Sequence, residues 1–459
     1  MTAPESAVTA SSVPATPSPA SHDRANRRER RAWYLYDFGN SAYAAVILLA
    51  VYSTYFKDKV VGGDRGSWLW GLSIGIAMLV VAVSSPILGA IADFSAKKKR
   101  FLFAATGLSC LFTALLFFTQ QGTVFIGMLF FILAEIGYRG AQVFYDGLLP
   151  ELGEPDELAG ISGTGWAIGS AGGIVCLLII LPLIMFVKGP MTVRWTFVIT
   201  AVFYALAAIP LFMRLRERAE PQILPPGETY LTVGFRRLWR TMHETRHYHE
   251  LWKFMVAFLV YNDGIIMALD FAAIMGAVLF GVTQTQLIIL MVILQAASVA
   301  GAYLFGMMAH RVGSKRTLVI SLLMMLGCVT ALYFNQTLAG FFVIAALAGF
   351  ALTGVQSVSR TLVATFSPEG RAAEFFGFFS VAGRTSSFIG PTVYGYVASR
   401  AARAYVAAGR EALAAEQAGQ RVAIVSIAVF LIVGLVLLLR VNEQQGRVAA
   451  STEPERVTA

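Results

Sequence analysis

The sequence predicts an all-α membrane protein with twelve transmembrane helices in two six-helix, pseudo-symmetric halves. Composition gives the first reason. Apolar residues make up 57% of the 459-residue chain and charged residues only 14%, against about 25% charged in an ordinary soluble domain, and mean hydropathy is +0.66. The second reason is length, since apolar runs of about 20 residues, enough to span a bilayer as helix, recur throughout the chain. The third is a repeat. The stretch Gly89-Ala90-Ile91-Ala92-Asp93-Phe94-Ser95-Ala96-Lys97-Lys98-Lys99-Arg100 joins two apolar runs, and Gly306-Met307-Met308-Ala309-His310-Arg311-Val312-Gly313-Ser314-Lys315-Arg316-Thr317 brings back its glycine, its polar residue four later and its basic cluster. Internal repetition on this scale in a hydrophobic chain marks secondary transporters built from two related halves.

Residues 1–30 are expected to be a disordered cytoplasmic tail, because residues 1–22 are mostly Ala, Ser, Pro and Thr and bury too little apolar surface to offset ordering entropy. No signal peptide is expected, because the first apolar run starts near Trp33 after Arg24, Arg27, Arg28, Arg30 and Arg31 and no small-residue cleavage site follows it. The spacing then predicts helices 1 to 6 at 33–56, 68–92, 101–119, 123–149, 160–187 and 192–213, within an N-terminal half at 31–213. Helices 7 to 12 are predicted at 251–280, 285–310, 316–334, 338–366, 374–399 and 421–440, within a C-terminal half at 251–441. Residues 214–250 join the halves as a cytoplasmic linker with an amphipathic, lipid-contacting character, since Arg236, Arg237 and Arg240 alternate with Phe235, Leu238 and Trp239. Residues 442–459 are expected to be a second disordered cytoplasmic tail.

Most of the 36 Lys and Arg fall in the tails and in loops on one side of this arrangement. The positive-inside bias therefore places both termini in the cytoplasm of a multi-pass inner-membrane protein. The loop with Glu151, Glu154, Asp156 and Glu157 is acidic on the same side, but acids weigh little in that rule. A net charge of +9 thus reflects topology, and no basic cluster carries the companion signals of a nucleic-acid site. Cys110, Cys176 and Cys328 sit inside apolar runs as small packed residues, without disulfide or metal spacing.

An ionised group kept at membrane depth is costly, so each one is a functional candidate. Glu135, Arg139, Gln142 and Asp146 follow at helical steps and share one face of helix 4. The plainer reading is that Glu135 and Arg139 neutralise each other, which leaves Gln142 and Asp146 unexplained. Helix 10 offers Gln356 and Arg360, helix 11 offers Arg384, and Glu374 precedes it. Arginine suits a carboxylate or phosphate held in a bidentate fork, while Asp146 or Glu374 would compete for it during a conformational cycle. Salt bridges that latch the cytoplasmic side are the competing reading for Arg360. Helix 7 carries Asn262 and Asp263, with Asp270 two turns on; Glu135, Asp263 and Asp270 are the candidates for carrying a coupling proton. In helix 1, Asp37 reads as a helix-start charge, whereas Asn40 and Tyr43 lie deeper and face a cavity. Gly165, Gly169 and Gly173 in helix 5, and Gly390-Pro391 with Gly395 in helix 11, read as packing and hinge positions.

The loops at 89 and 306 resemble the signature loop of the major facilitator superfamily, a Gly followed four residues later by Asp and then by several basic residues. The resemblance implies a conformational role for Gly89, Asp93, Lys97, Lys98 and Arg100, and for Gly306, His310 and Arg311, with His310 in place of the acid predicting a weaker latch in the second half. Trp33-Tyr34-Leu35-Tyr36-Asp37-Phe38-Gly39-Asn40-Ser41-Ala42, Val143-Phe144-Tyr145-Asp146-Gly147-Leu148-Leu149-Pro150-Glu151-Leu152, Tyr261-Asn262-Asp263-Gly264 and Glu374-Phe375-Phe376-Gly377 resemble a narrower branch, the bacterial relatives of the autophagy-linked vacuolar amino-acid effluxer. That resemblance implies efflux of an amino acid or another small solute.

No phosphate-cradling Gly-rich loop, nucleophile triad or metal cluster is present in the sequence, so neither an ATP-driven pump nor an enzyme is expected, and no cofactor. The expected function is secondary transport of a small zwitterionic or anionic solute by a monomer, with a proton or another ion as coupling partner. Asn40, Tyr43, Glu135, Arg139, Gln142, Asn262, Asp263, Gln356 and Arg384 would form the solute site. A sugar and cation symporter of the same fold, and a membrane receptor or lipid translocator, are the alternatives.

Overall fold

The computed structural model describes residues 19–62, 65–153, 158–187, 189, 191–218, 229, 232, 248–366, 379, 383 and 389–451. Helix α1 (Pro19–Tyr43) runs on through a π-wound stretch Ala44–Ala50, a short α-turn Tyr52–Tyr55 and a second π-wound stretch Phe56–Val61. Then follow α2 (Gly66–Ser95), α3 (Lys98–Leu115), α4 (Val124–Gly147), α5 (Leu158–Phe186) and α6 (Thr192–Arg214). The second series is α7 (His249–Phe280), α8 (Gln284–Val312), α9 (Ser314–Phe334), α10 (Leu338–Phe366), α11 (Ile389–Ala407), α12 (Ala412–Leu439) and a short α13 (Glu443–Ser451).

Among the described residues, eleven of these segments are long and apolar enough to cross a membrane. Their outward faces keep large apolar side chains exposed, such as Phe103, Phe125, Phe186 and Met213, as a lipid-facing surface requires. The expected span at 374–399 is described from Ile389 onward and continues to Ala407. The amphipathic stretch expected in the linker lies outside the described residues.

Three further boundaries depart from expectation, each for a local reason. The chain is helical from Pro19, not from Trp33, because the Arg-rich segment favours helix and is held in place. Arg30 donates to the Leu152 carbonyl at 2.8 Å, and Glu29 meets Arg218 at 2.6 Å. Helix α12 starts at Ala412, not at 421, since its polar first turns are engaged: Glu416 meets Lys57, and Gln417 donates to the Val278 carbonyl. The tail expected to be disordered from 442 folds into α13, where the Asn442 side chain accepts from the N–H groups of Gln444 and Gln445 and so caps the helix start.

Helix α1 packs on α5 and α6, α3 packs on α4 and α6, and α2 packs on α4. In the second series α7 packs on α12, α8 and α9 pack on α10, and α11 packs on α12. The two series meet where α2 lies on α11, where α5 lies on α8, and where the π-wound stretch of α1 reaches α7 and α8. Backbones approach closely at glycines, as the small-residue spacing predicts. A Cβ on Gly172 would lie 1.9 Å from the Phe38 carbonyl oxygen of α1, and one on Gly395 would lie 2.5 Å from that of Ser67 in α2. Gly165 similarly receives the Trp33 ring.

Gly172→Val should therefore separate α1 from α5 at a cost of about 1–3 kcal/mol, or prevent insertion altogether. Gly107→Val, where a Cβ meets nothing within 4 Å, should be neutral. Apparent melting temperatures in detergent test this: equal values for the two variants would show that α1 and α5 do not rely on the contact.

Candidate functional site

Glu135 is fully buried on α4, and Arg139 one turn later donates from Nε to its Oε1 at 2.7 Å. The guanidinium also lies over the Tyr138 ring, 5.2 Å from its centroid. Tyr138 stacks on Tyr43 of α1 with centroids 4.6 Å apart, and Tyr43 in turn faces Glu135 and Arg139. From the second series, Asp270 of α7 brings a buried carboxylate into the electrostatic field of both Arg139 and Glu135. Tyr43, Glu135, Arg139 and Asp270 thus form one centre contributed by α1, α4 and α7.

The centre is incompletely satisfied. Asp270 Oδ2 and, one turn away on α1, Asn40 Oδ1 are buried without a hydrogen-bond partner, while the Tyr43 hydroxyl and the Glu135 carboxylate face each other. Buried polar atoms are ordinarily paired, so a group of orphans around one point marks a place for water or solute.

The other predicted residues take different positions. Asp263 is buried about 10 Å along α7 from Asp270, meets the backbone N–H of Gly390, and leaves its Oδ1 unpartnered. Asn262 donates to the Gly383 carbonyl at 3.4 Å. Gln142 is half-buried near the Tyr138 hydroxyl, and Gln356 is half-buried on α10 one turn before Arg360. Asp37, read as a helix-start charge, lies well inside α1, because the helix begins at Pro19. It rests over Gly169, within reach of Asn40 and in the field of Asp146 and Arg360, two exposed residues on α4 and α10. These three charges stand together near the end of the bundle that bears the start of α1 and the end of α12. Glu374 and Arg384 lie outside the described residues, as do the side chains of Asp93 and His310.

The opposite end is closed by contacts between the two series that sequence reading missed. Lys57 is buried in the second π-wound stretch and meets Glu416 of α12 at 2.5 Å and Asp58 at 3.0 Å. Thr54 donates to Gln284 at the start of α8, whose amide reaches back to the Ala50 carbonyl. A capping box between Thr283 and Gln286 fixes that helix start. Gln420 of α12 links Ser67 of α2 to Tyr394 of α11, with both hydrogen bonds at 2.8 Å. Deeper in, Trp70 of α2 donates its indole N–H to the Asp270 carbonyl at 3.0 Å.

The basic loops at 97 and 314 are built alike. Glu217, just past α6, accepts from the backbone N–H of Lys98 at 2.6 Å, and Lys99 Nζ reaches the Leu215 carbonyl. Glu443, just past α12, accepts from Lys315 N at 3.0 Å, and Lys315 Nζ reaches the Val441 carbonyl. In both, a carboxylate sits on the positive end of a helix. Lys98 Nζ adds a bond to the Gly147 carbonyl, tying α3 to the end of α4. Gly306 and the exposed Arg100 and Arg311 make no such tie, and Lys97 precedes α3 as its capping position. Aligning Arg214-Leu215-Arg216-Glu217 with Arg440-Val441-Asn442-Glu443 would have revealed the glutamates.

Comparison with known proteins agrees with this architecture. A family model described as vacuole effluxer Atg22 like matches residues 70–451. The chain is 28% identical to the MFS-type transporter YxiO of Bacillus subtilis over 435 residues, covering 91% of this chain and 95% of that one. It is 25% identical to Autophagy-related protein 22 of Yarrowia lipolytica over 274 residues, covering 53% of this chain and 46% of that one. Among solved structures, a bacterial homolog of the human lysosomal transporter Spinster, inward-facing and unoccupied, superposes with a TM-score of 0.70 at 15% identity, covering 95% of this chain and all of that one. The nucleoside transporter NupG gives 0.64 at 13% identity, covering 91% of this chain and all of that one. With the family match spanning most of its length, the chain belongs to the Atg22-like vacuole effluxer family, as a multi-pass membrane transporter of the MFS type.

Proposed function

We propose that this chain is a secondary transporter that exports a small polar solute, an amino acid in first place, across the cytoplasmic membrane by alternating access between two six-helix halves. The observation that carries the reading is the centre of Tyr43, Glu135, Arg139 and Asp270, which lies between the two series of helices and holds orphaned polar atoms. It is sealed toward one end by Lys57, Glu416, Gln284 and Gln420, while the charges at the other end, Asp146 and Arg360, stand exposed. In this reading that end is the mouth and faces the cytoplasm, where the positive-inside bias puts the termini. The paired glutamate–lysine ties at Lys98 and Lys315 support two related halves. A proton taken up by Glu135, Asp263 or Asp270 would couple the cycle to the membrane gradient.

Reconstituted vesicles test the site. Arg139→Ala removes a charge-assisted bond of about 1.5–3 kcal/mol and should lower solute exchange about 10- to 100-fold, while the protein still inserts. Normal exchange by Arg139→Ala would remove this centre from the pathway. Uptake of labelled sugar but not of amino acids, under an ion gradient, would select the symporter, and silent vesicles the receptor or lipid translocator.

The seal is tested separately. Lys57→Met leaves the largely buried Glu416 without its cation, a loss of about 3–5 kcal/mol for a buried pair. In a background with Cys110, Cys176 and Cys328 replaced, Ile74→Cys places a thiol on buried α2, one turn deeper than Trp70. Its labelling by a membrane-impermeant maleimide from outside should rise at least about 10-fold when Lys57→Met is added. An unchanged rate would mean that the ion pair does not hold the outer end shut.

A further inference from the structure

We infer that the cleft between the start of α9 and the end of α12 binds the phosphate of an anionic phospholipid from the surrounding bilayer, whatever solute the central site carries. The cleft holds about 460 Å3 and is lined by Lys315, Arg316, Leu439, Arg440 and the turn at 441–444. Its charges are not balanced within the protein. Glu443 accepts from the backbone N–H of Lys315 at 3.0 Å and from Arg447 at 2.7 Å. Glu250 of α7, in the field of Lys315, accepts from Lys253 at 2.6 Å and from the Asn442 N–H. Lys315 Nζ donates to the Leu439 and Val441 carbonyls at 2.9 and 2.6 Å. Arg316 and Arg440 are exposed, and neither guanidinium has a partner among the described residues. Lys253, Lys315, Arg316, Arg440 and Arg447 thus face only Glu250 and Glu443, both already engaged. Arginine is not deprotonated in proteins, so the excess positive charge is permanent.

The position of the two arginines selects a lipid over a soluble anion. On α9, Arg316, Ile320, Leu323 and Gly327 are exposed at steps of four, three and four, so Arg316 heads the lipid-facing stripe of its helix. On α12, Val429, Val433, Val436 and Arg440 are exposed at the same steps, and Arg440 ends that stripe. Helices α9 and α12 pack on each other. Both stripes therefore finish in an arginine at one cleft, at the level where apolar surface gives way to polar. A phospholipid seated there keeps its acyl chains against Ile320, Leu323, Val433 and Val436. Its phosphate meets the two guanidiniums, whose planar forks match phosphate oxygens in pairs. The positive-inside bias puts this end in the cytoplasmic leaflet, and basic pockets between helix ends on that side suit acidic headgroups.

The test uses the full-length protein in detergent, read by native mass spectrometry and by melting temperature against phosphatidylglycerol, phosphatidylcholine and inorganic phosphate. Phosphatidylglycerol should be retained, and should raise the melting temperature, at concentrations where phosphatidylcholine does neither, because the choline lipid brings its own cation to the two arginines. Arg316→Ala and Arg440→Ala should each weaken phosphatidylglycerol binding about 5-fold and the double variant about 30-fold, the scale of one basic residue at an anionic surface. Arg400→Ala removes an exposed arginine from the last turns of α11, at the other end of the bundle, and should leave binding unchanged. Equal retention of the two lipids would overturn the site, and so would a double variant that holds phosphatidylglycerol as tightly as the parent. Inorganic phosphate that displaces the lipid at equal concentration would assign the cleft to a soluble anion and overturn it as well. Both arginines are exposed, so the lipid-free melting temperatures of the variants should match the parent's, and the single variants carry the same test where the double variant does not accumulate.

Discussion

The buried ion pair between Glu135 and Arg139 is the constraint on which the rest of the bundle depends. A lone charge in hydrocarbon is so unfavourable that it must be paired, protonated or wetted, and here the two partners lie one helical turn apart on α4. Pairing satisfies Glu135 Oε1, and the carboxylate also faces the Tyr43 hydroxyl of α1, while the field of Arg139 extends to the second series. Asp270, on the other series of helices, enters that field. The centre is thus assembled only while α4 and α7 stay close, and its polarity is sensitive to any change in their separation.

Both ends of the bundle can be understood from where their charges are placed. At the sealed end, the π-wound stretches shift α1 out of ordinary helical register, with Val51 N–H reaching the Val46 carbonyl and Gly62 N–H reaching that of Lys57. The shift carries Thr54 and Lys57 onto α8 and α12, where they bond to Gln284 and Glu416. At the other end, Asp146 and Arg360 are exposed on helices that belong to different series. The basic turns at Lys98 and Lys315 brace each series within itself, through Glu217 and Glu443, and do not bridge between the two.

Much of this was legible from sequence because hydrocarbon imposes simple rules. Span length fixed where most helices lie to within a few residues, and the helical period put Glu135, Arg139 and Gln142 on one face. Polar segments were where reading failed. Residues 412–420 look like a loop by hydropathy, yet Glu416, Gln417 and Gln420 are helical and bonded to distant parts of the chain. Lys57 looks like an exposed loop cation but is buried against α12. Asp270 was identifiable as a costly intramembrane acid, whereas its approach to Arg139 depends on how α4 and α7 meet, which no local pattern encodes. Trp70 gave no signal at all, since an indole in an apolar run reads as packing.

Asp270 ties these parts into one device. Its carboxylate faces the centre, and its own backbone carbonyl accepts the Trp70 indole N–H from α2. The Trp70 ring is fully buried, and the adjacent Gly71 lies so near α11 that a Cβ there would sit 2.3 Å from the Pro391 carbonyl oxygen. Helices α2, α7 and α11 therefore cannot shift independently at this level. In the proposed cycle, a ligand that drew the Asp270 side chain toward α4 would also act on the peptide that holds Trp70, linking occupancy of the centre to the sealed end through one residue. Because the link is a backbone carbonyl, side-chain substitution at 270 would change the group that faces Arg139 and Glu135 while leaving the Trp70 bond in place.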